Sequence, residues 1–177
     1  ADTATIAGLA AAYYDIRQGL GFNKSSSEYG AFPTDPYSHT PSGAGARQPG
    51  MTGQVKEEIL TRWGELGVSI QEGALQFTPT LLREAEFLSA PSVFSCQDLS
   101  GEKESILLSA GSLAFTFCQT KVVYTTGETE QIEVTYADGR SETVTGSRLG
   151  LSTSKHILSR DRQVQLLRVT VKHGRLL

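Results

Sequence analysis

The chain has 177 residues and a formal net charge of −3, from 16 basic and 19 acidic side chains. It therefore lacks the basic excess with which a protein displaces counterions from nucleic acid. Apolar residues make up 38% and charged residues 20%, too apolar for a disordered chain and long enough for one ordinary domain, or two small ones, with a real core. No window reaches the roughly 18 apolar residues of a membrane span; the best, from Ser105 to Cys118, is broken by Ser109, Gly111, Ser112 and Thr116.

Residues 3 to 20 place Ile6, Leu9, Tyr13, Ile16 and Leu20 at the three-and-four spacing of one helical face. Asp2, Thr3 and Thr5 offer N-caps, the run Ala10-Ala11-Ala12 favours helix, and Gly19 and Gly21 stop it. Residues 21 to 51 have no sustained period. They hold Pro33, Pro36, Pro41 and Pro49 among several glycines, and so long a connection is functional or disordered. Tyr29, Phe32 and Tyr37 between those prolines argue for an ordered loop packed on something, because a flexible linker carries fewer aromatics.

Residues 52 to 66 read as a second helix. Val55, Ile59, Trp63 and Leu66 line one face with Leu60 beside them, Thr52 can cap the start, and Gly64 and Gly67 close the end. Glu58 and Arg62 sit one turn apart and can pair weakly. From Val68 onward short β-type runs alternate with turn signals, with strands expected at 68–71, 74–78, 91–96, 104–109, 112–118, 120–125, 130–137, 140–146 and 163–173. Asp138-Gly139 between two alternating runs predicts a hairpin with a type I′ turn. Leu113, Phe115 and Phe117 share a face of what reads as a buried core strand. The expected fold class is α+β: a helix-loop-helix segment over 1–67, then a mainly antiparallel, sandwich-like β module over 68–177.

Two stretches carry the candidate chemistry. Thr52-Gly53 opens the second helix after Gly50-Met51. A helix start offers unpaired N–H groups and positive partial charge, and a glycine backbone lets an anion approach, so this is either a phosphate site or an ordinary capped turn. Thr34-Asp35-Pro36-Tyr37-Ser38-His39-Thr40 gathers a carboxylate, a phenol, an imidazole and hydroxyls. Asp35, Tyr37 and His39 could line a sugar pocket, and the same residues also make an ordered surface loop of Asx and proline turns.

The remaining signals are bland. Glu57 and Glu58 are adjacent on a helix and point apart, so they read as solvated face rather than as a glycosidase pair. Cys96 and Cys118 read as two buried strand thiols, with a disulfide as the alternative, and His39, His156 and His173 have no metal-ligand spacing. The sequence lacks a P-loop, G-x-G-x-x-G, G-x-S-x-G and H-E-x-x-H. No cofactor and no metal are expected, and no catalytic residue can be named. The N-terminal residues have no basic region before an apolar stretch, so no secretory signal is read and a cytoplasmic location is expected.

The stretch Gly50-Met51-Thr52-Gly53, through Glu58-Ile59-Leu60, to Gly64-Glu65-Leu66-Gly67-Val68 resembles the end of the catalytic barrel in the inverting disaccharide phosphorylases, such as cellobiose and chitobiose phosphorylases, and in the related cyclic β-1,2-glucan synthetases. In that group a Thr-Gly segment begins a late helix of an (α/α)6 barrel, and a small β region follows. Gly73-Ala74-Leu75-Gln76-Phe77-Thr78-Pro79 is similar to the strand-then-proline that opens it. The resemblance covers residues 46 to 80; beyond them only the order of elements agrees.

The resemblance implies a carbohydrate-active parent, a glycosyltransferase or glycoside phosphorylase, with phosphate bound at Thr52 and Gly53. The family's catalytic Asp lies in an earlier segment that has no match here, and Asp35 does not take that role. Two helices cannot close such a barrel. The implied chain is thus a C-terminal fragment, inactive alone, with carbohydrate, phosphate and the remainder of the parent enzyme as partners. Helix faces made to pack on missing neighbours also imply a homodimer. The alternative is a non-catalytic carbohydrate-binding or structural accessory module.

Overall fold

In the computed structural model, residues 3–19, 55–98 and 100–177 are described. The chain divides into two compact units, Ala1–Leu60 and Thr61–Leu177. The division falls inside the second helix, whereas the sequence placed the boundary at 67/68.

The described part of the first unit contains helix α1, Thr3–Gly19. Ile6 and Leu9 of its apolar stripe are 53% and 66% exposed. Helix α2 covers Val55–Glu65, and its Ile59 and Leu60 are also exposed.

Among its described residues the second unit holds the last turn of α2 and nine strands: β1 Val68–Gln71, β2 Ala74–Phe77, β3 Ser92–Gln97, β4 Lys103–Leu108, β5 Ser112–Phe117, β6 Thr120–Gly127, β7 Gln131–Tyr136, β8 Ser141–Thr145 and β9 Val164–Lys172. Each lies within a residue or two of its expected place. A third helix, α3 Leu151–Ser159, has no counterpart in the sequence reading. Its Ser and Thr residues are weak helix formers, and tertiary contacts hold it: Thr153, Ser154 and Ile157 are buried, and the Ser154 Oγ accepts a hydrogen bond from the Leu75 amide at 2.9 Å.

The fold is α+β with mostly antiparallel sheets. β5-β6-β9-β7-β8 form a five-stranded sheet, and β1–β2 and β3–β4 form separate hairpins. One pair departs from the antiparallel expectation: β6 and β9 run parallel, joined through β7, β8 and α3. The alternation of β6, β7 and β9 directs Val122, Tyr124, Ile132, Val134, Leu167, Val169 and Val171 to one face, where they pack with Leu66, Leu75, Phe77, Leu82, Leu149 and Ile157. Leu113 and Phe117 join that core and Phe115 packs against it, as their spacing predicted.

β2 is tied to the segment leaving β8: Phe77 N–H donates to the Ser147 carbonyl at 2.8 Å and Leu149 N–H to the Leu75 carbonyl at 2.9 Å. The opposite face of the sheet carries Lys121, Glu133, Leu166 and Arg168. The β3–β4 hairpin approaches it, and Val123 on that face is buried.

The Asp138-Gly139 turn is present but is not type I′. Only Gly139 has positive φ, at 83°; Gly139 N–H bonds to the Tyr136 carbonyl and Tyr136 N–H to the Arg140 carbonyl. That is a three-residue loop, a type I turn closed by a left-handed glycine. The two-residue turn with both φ positive occurs instead at Cys118-Gln119, 49° and 65°, where Phe117 pairs with Thr120. The cysteines are free and half-buried. Cys96 lies in β3, and Cys118 lies in that turn rather than in a strand.

Candidate functional site

The sequence-derived candidates Thr52, Gly53, Asp35, Tyr37 and His39 all lie outside the described residues, as does the partner expected for Arg62, the Glu58 side chain. Three other places in the second unit show organised polar chemistry.

The first is the junction between α2 and the β module. Arg62 contacts Glu65 at 2.9 Å and Glu86 at 2.7 Å, and the Glu65 side chain is fully buried. Burial opposes the Arg62 charge, but the two carboxylates outweigh it and its pKa is raised. Leu66 and Gly67 follow. The Tyr124 hydroxyl, buried in the sheet, donates to the Leu66 carbonyl at 2.6 Å, and burial pushes that phenol far above its usual pKa. Gly67 has φ +69°, and a Cβ there would lie 2.1 Å from the Thr78 carbonyl carbon. The Thr78 amide bonds to the Gly67 carbonyl at 2.8 Å. The helix end is thus locked onto the module by backbone contact that only glycine permits. Trp63 is 38% exposed, with its ring edge-on to Phe117 at 5.3 Å; it serves as part core and part surface.

The second is a cavity of about 270 Å³ at the end of the sheet where β6 and β9 begin and β7 ends. Asp98 and Glu104 from the β3–β4 hairpin, Gln119 and Lys121 from the start of β6, and Arg162 and Gln165 around the start of β9 line it. Ala137 and Val164 form its apolar part. The lining is held in place. Asp98 accepts from the Ser100 hydroxyl and from the amides of Ser100 and Glu102, at 2.6–2.9 Å, and the Ser100 hydroxyl, with these amides, holds its carboxyl below the usual range. Lys121 Nζ pairs with Glu104 and joins hairpin to sheet. Gln119 and Arg162 both have left-handed backbones, φ 65° and 67°, and each has a left-handed neighbour in its own loop, Cys118 or Arg160. Non-glycine residues rarely adopt that conformation, and they cluster where geometry matters.

Beside α3, His156 Nδ1 lies 2.6 Å from Asp161. An ionised carboxylate can only accept, so Nδ1 donates, and this bond is the main reason the Asp161 pKa is lowered. Ser159 also bonds to Asp161 rather than to the imidazole, so these three close the end of the helix and form no nucleophile–base pair. Among the described residues no group of His, Cys, Asp and Glu is placed to hold a metal ion, and no helix is long and apolar enough to cross a membrane.

The cavity residues were not legible as a motif, because they come from four stretches far apart in sequence. One local signal existed: Cys118-Gln119 joins two strong strands with no Gly, Asn or Asp between them, so the turn had to place ordinary side chains in a left-handed backbone. Compared with known protein families and with curated proteins, the chain matches none.

Proposed function

We propose that the chain is the C-terminal portion of a glycosyl-transferring enzyme that acts on β-glucans by phosphorolysis or transglycosylation. In this reading residues 1–67, with α1 and α2, belong to the end of an (α/α)6 barrel, and residues 68–177 are the sandwich-like β module that follows. The observation that carries the proposal is the junction at Leu66-Gly67. The residues of the family resemblance, Gly64-Glu65-Leu66-Gly67-Val68 and Leu75-Gln76-Phe77-Thr78-Pro79, are the ones that weld helix end to β module: buried Glu65, the Leu66 carbonyl on Tyr124, and Gly67 against Thr78. A rigid helix-to-sheet joint suits a module that braces the last helix of a larger body.

Phosphate at Thr52 and Gly53, and sugar at Asp35, Tyr37 and His39, belong to the same proposal, as does a cytoplasmic location. Exposed Ile59, Leu60 and Trp63 supply apolar area for the remainder of the parent enzyme or for a second copy of the chain. The chain alone is then inactive, since the general acid of an inverting mechanism would lie upstream. The second reading, an accessory carbohydrate-binding module, is favoured by the preorganised polar cavity.

The test is an assay of the chain with β-linked disaccharides and phosphate, alone and then joined to whatever sequence precedes it in its reading frame. Sugar phosphate or transfer product should form only with the joined protein. Turnover by the isolated 177 residues would overturn the proposal.

A further inference from the structure

We infer that the cavity between the β3–β4 hairpin and the starts of β6 and β9 is a binding site for one neutral pyranose unit. Its lining shares no residue with the candidates Thr52, Gly53 and 34–40 of the sequence. Four features of the lining lead there. Asp98 and Glu104 are offset by Lys121 and Arg162, so the cavity has no net charge with which to select an ion. Its lining holds both acceptors, the carboxylates, and donors, the ammonium and guanidinium, and the amides of Gln119 and Gln165 offer both. A hydroxyl donates and accepts at once, so a ring of hydroxyls satisfies such a lining better than an apolar ligand or a single anion does. The volume of about 270 Å³ lies just below the usual range of ligand pockets and suits a guest of about one ring. Finally, part of the lining is preorganised: Asp98 by its turn, Lys121 by Glu104, and Gln119 by the bond its Nε2 donates to the Asp98 carbonyl at 3.5 Å. Such fixed groups lose little freedom on binding.

That the pyranose is a glucosyl residue of a β-glucan rests on the function proposed above. The site itself does not, and the experiment separates the two. Side-chain amide resonances of Gln119 and Gln165 in the full chain are followed by NMR during titration with glucose, cellobiose, laminaribiose, galactose, glucuronate and inorganic phosphate. The expected result is a saturable, millimolar response to glucose or the glucosides and none to phosphate. Gln119→Gly removes a lining amide while relieving its left-handed backbone. It should hold or raise the melting temperature and weaken binding roughly tenfold, the loss of about one good hydrogen bond. Gln165→Ala, at the start of β9, should weaken it similarly.

No saturable response to any neutral sugar overturns the site. A response only to glucuronate or phosphate overturns it as well, and so does undiminished binding by folded variants. A response to galactose without one to the glucosides upholds the pyranose site and overturns the β-glucan reading.

Discussion

Gly67 is the residue on which the joint between helix and sheet turns. Its positive φ excludes an ordinary side chain, and the space a Cβ would need is filled by the Thr78 and Pro79 backbone. Backbone cannot swing aside as a side-chain tip can. Gly67→Ala combines left-handed strain with overpacking and is expected to cost about 2–5 kcal/mol; a chemical denaturation midpoint close to that of the parent chain would contradict this account. Asp98 acts in the turn between β3 and β4. Its pKa is lowered in the fold, so its turn is supported above the ordinary carboxylate value of 3.8 and loses that support as pH falls through the lower, folded value. A carboxyl-carbon NMR titration should put the Asp98 midpoint below 3.8, and Asp98→Asn should remove this acid dependence from the β3–β4 turn. A midpoint at or above that value refutes the assignment.

Among the elements, the strands were the most legible. Alternation of the kind Ile132, Val134, Tyr136 against polar neighbours records directly which side chains face the core. Turn types were less so. Asp138-Gly139 matches two loop lengths, and the extra residue Ala137 decided between them through the Tyr136 and Arg140 pairing. Helix α3 was not legible, because its buried residues Thr153 and Ser154 are polar and carry no apolar period. Its end closes in the usual left-handed way with an unusual residue: Arg160 occupies the cap at φ 54°, where glycine is the common choice. Arg160 is exposed, so Arg160→Gly relieves strain and gives up little packing. It should stabilise the chain by about 0.5–1 kcal/mol, a rise of a few degrees in melting temperature; a fall would show that the Arg160 side chain contributes more than the strain costs.

Across the whole molecule, the second unit holds its own core and closes on itself. The Leu177 amide bonds to the Leu82 carbonyl, and the Glu84 amide returns a bond to the Leu177 carbonyl, so the last residue is stitched to the segment after β2. A chain starting at Thr61 is therefore expected to unfold cooperatively, with the strand signal of the full protein. Loss of the cooperative transition on removing 1–60 would show that the first unit is part of that fold. Deleting Leu177 and its neighbours should instead cost stability, because it opens these two bonds.

The sequence by itself determined the class of the fold, the positions of the described strands and of α1 and α2, and the strand faces that become core, because hydrophobic alternation and turn residues are local and act on neighbours along the chain. The tertiary structure alone decided the strand order with its parallel β6–β9 pair, the formation of α3, the lock at Gly67 and the polar cavity. Each of these depends on groups that are distant in sequence and brought together by packing, such as Tyr124 with Leu66 or Lys121 with Glu104, and no local pattern encodes which distant residue will arrive.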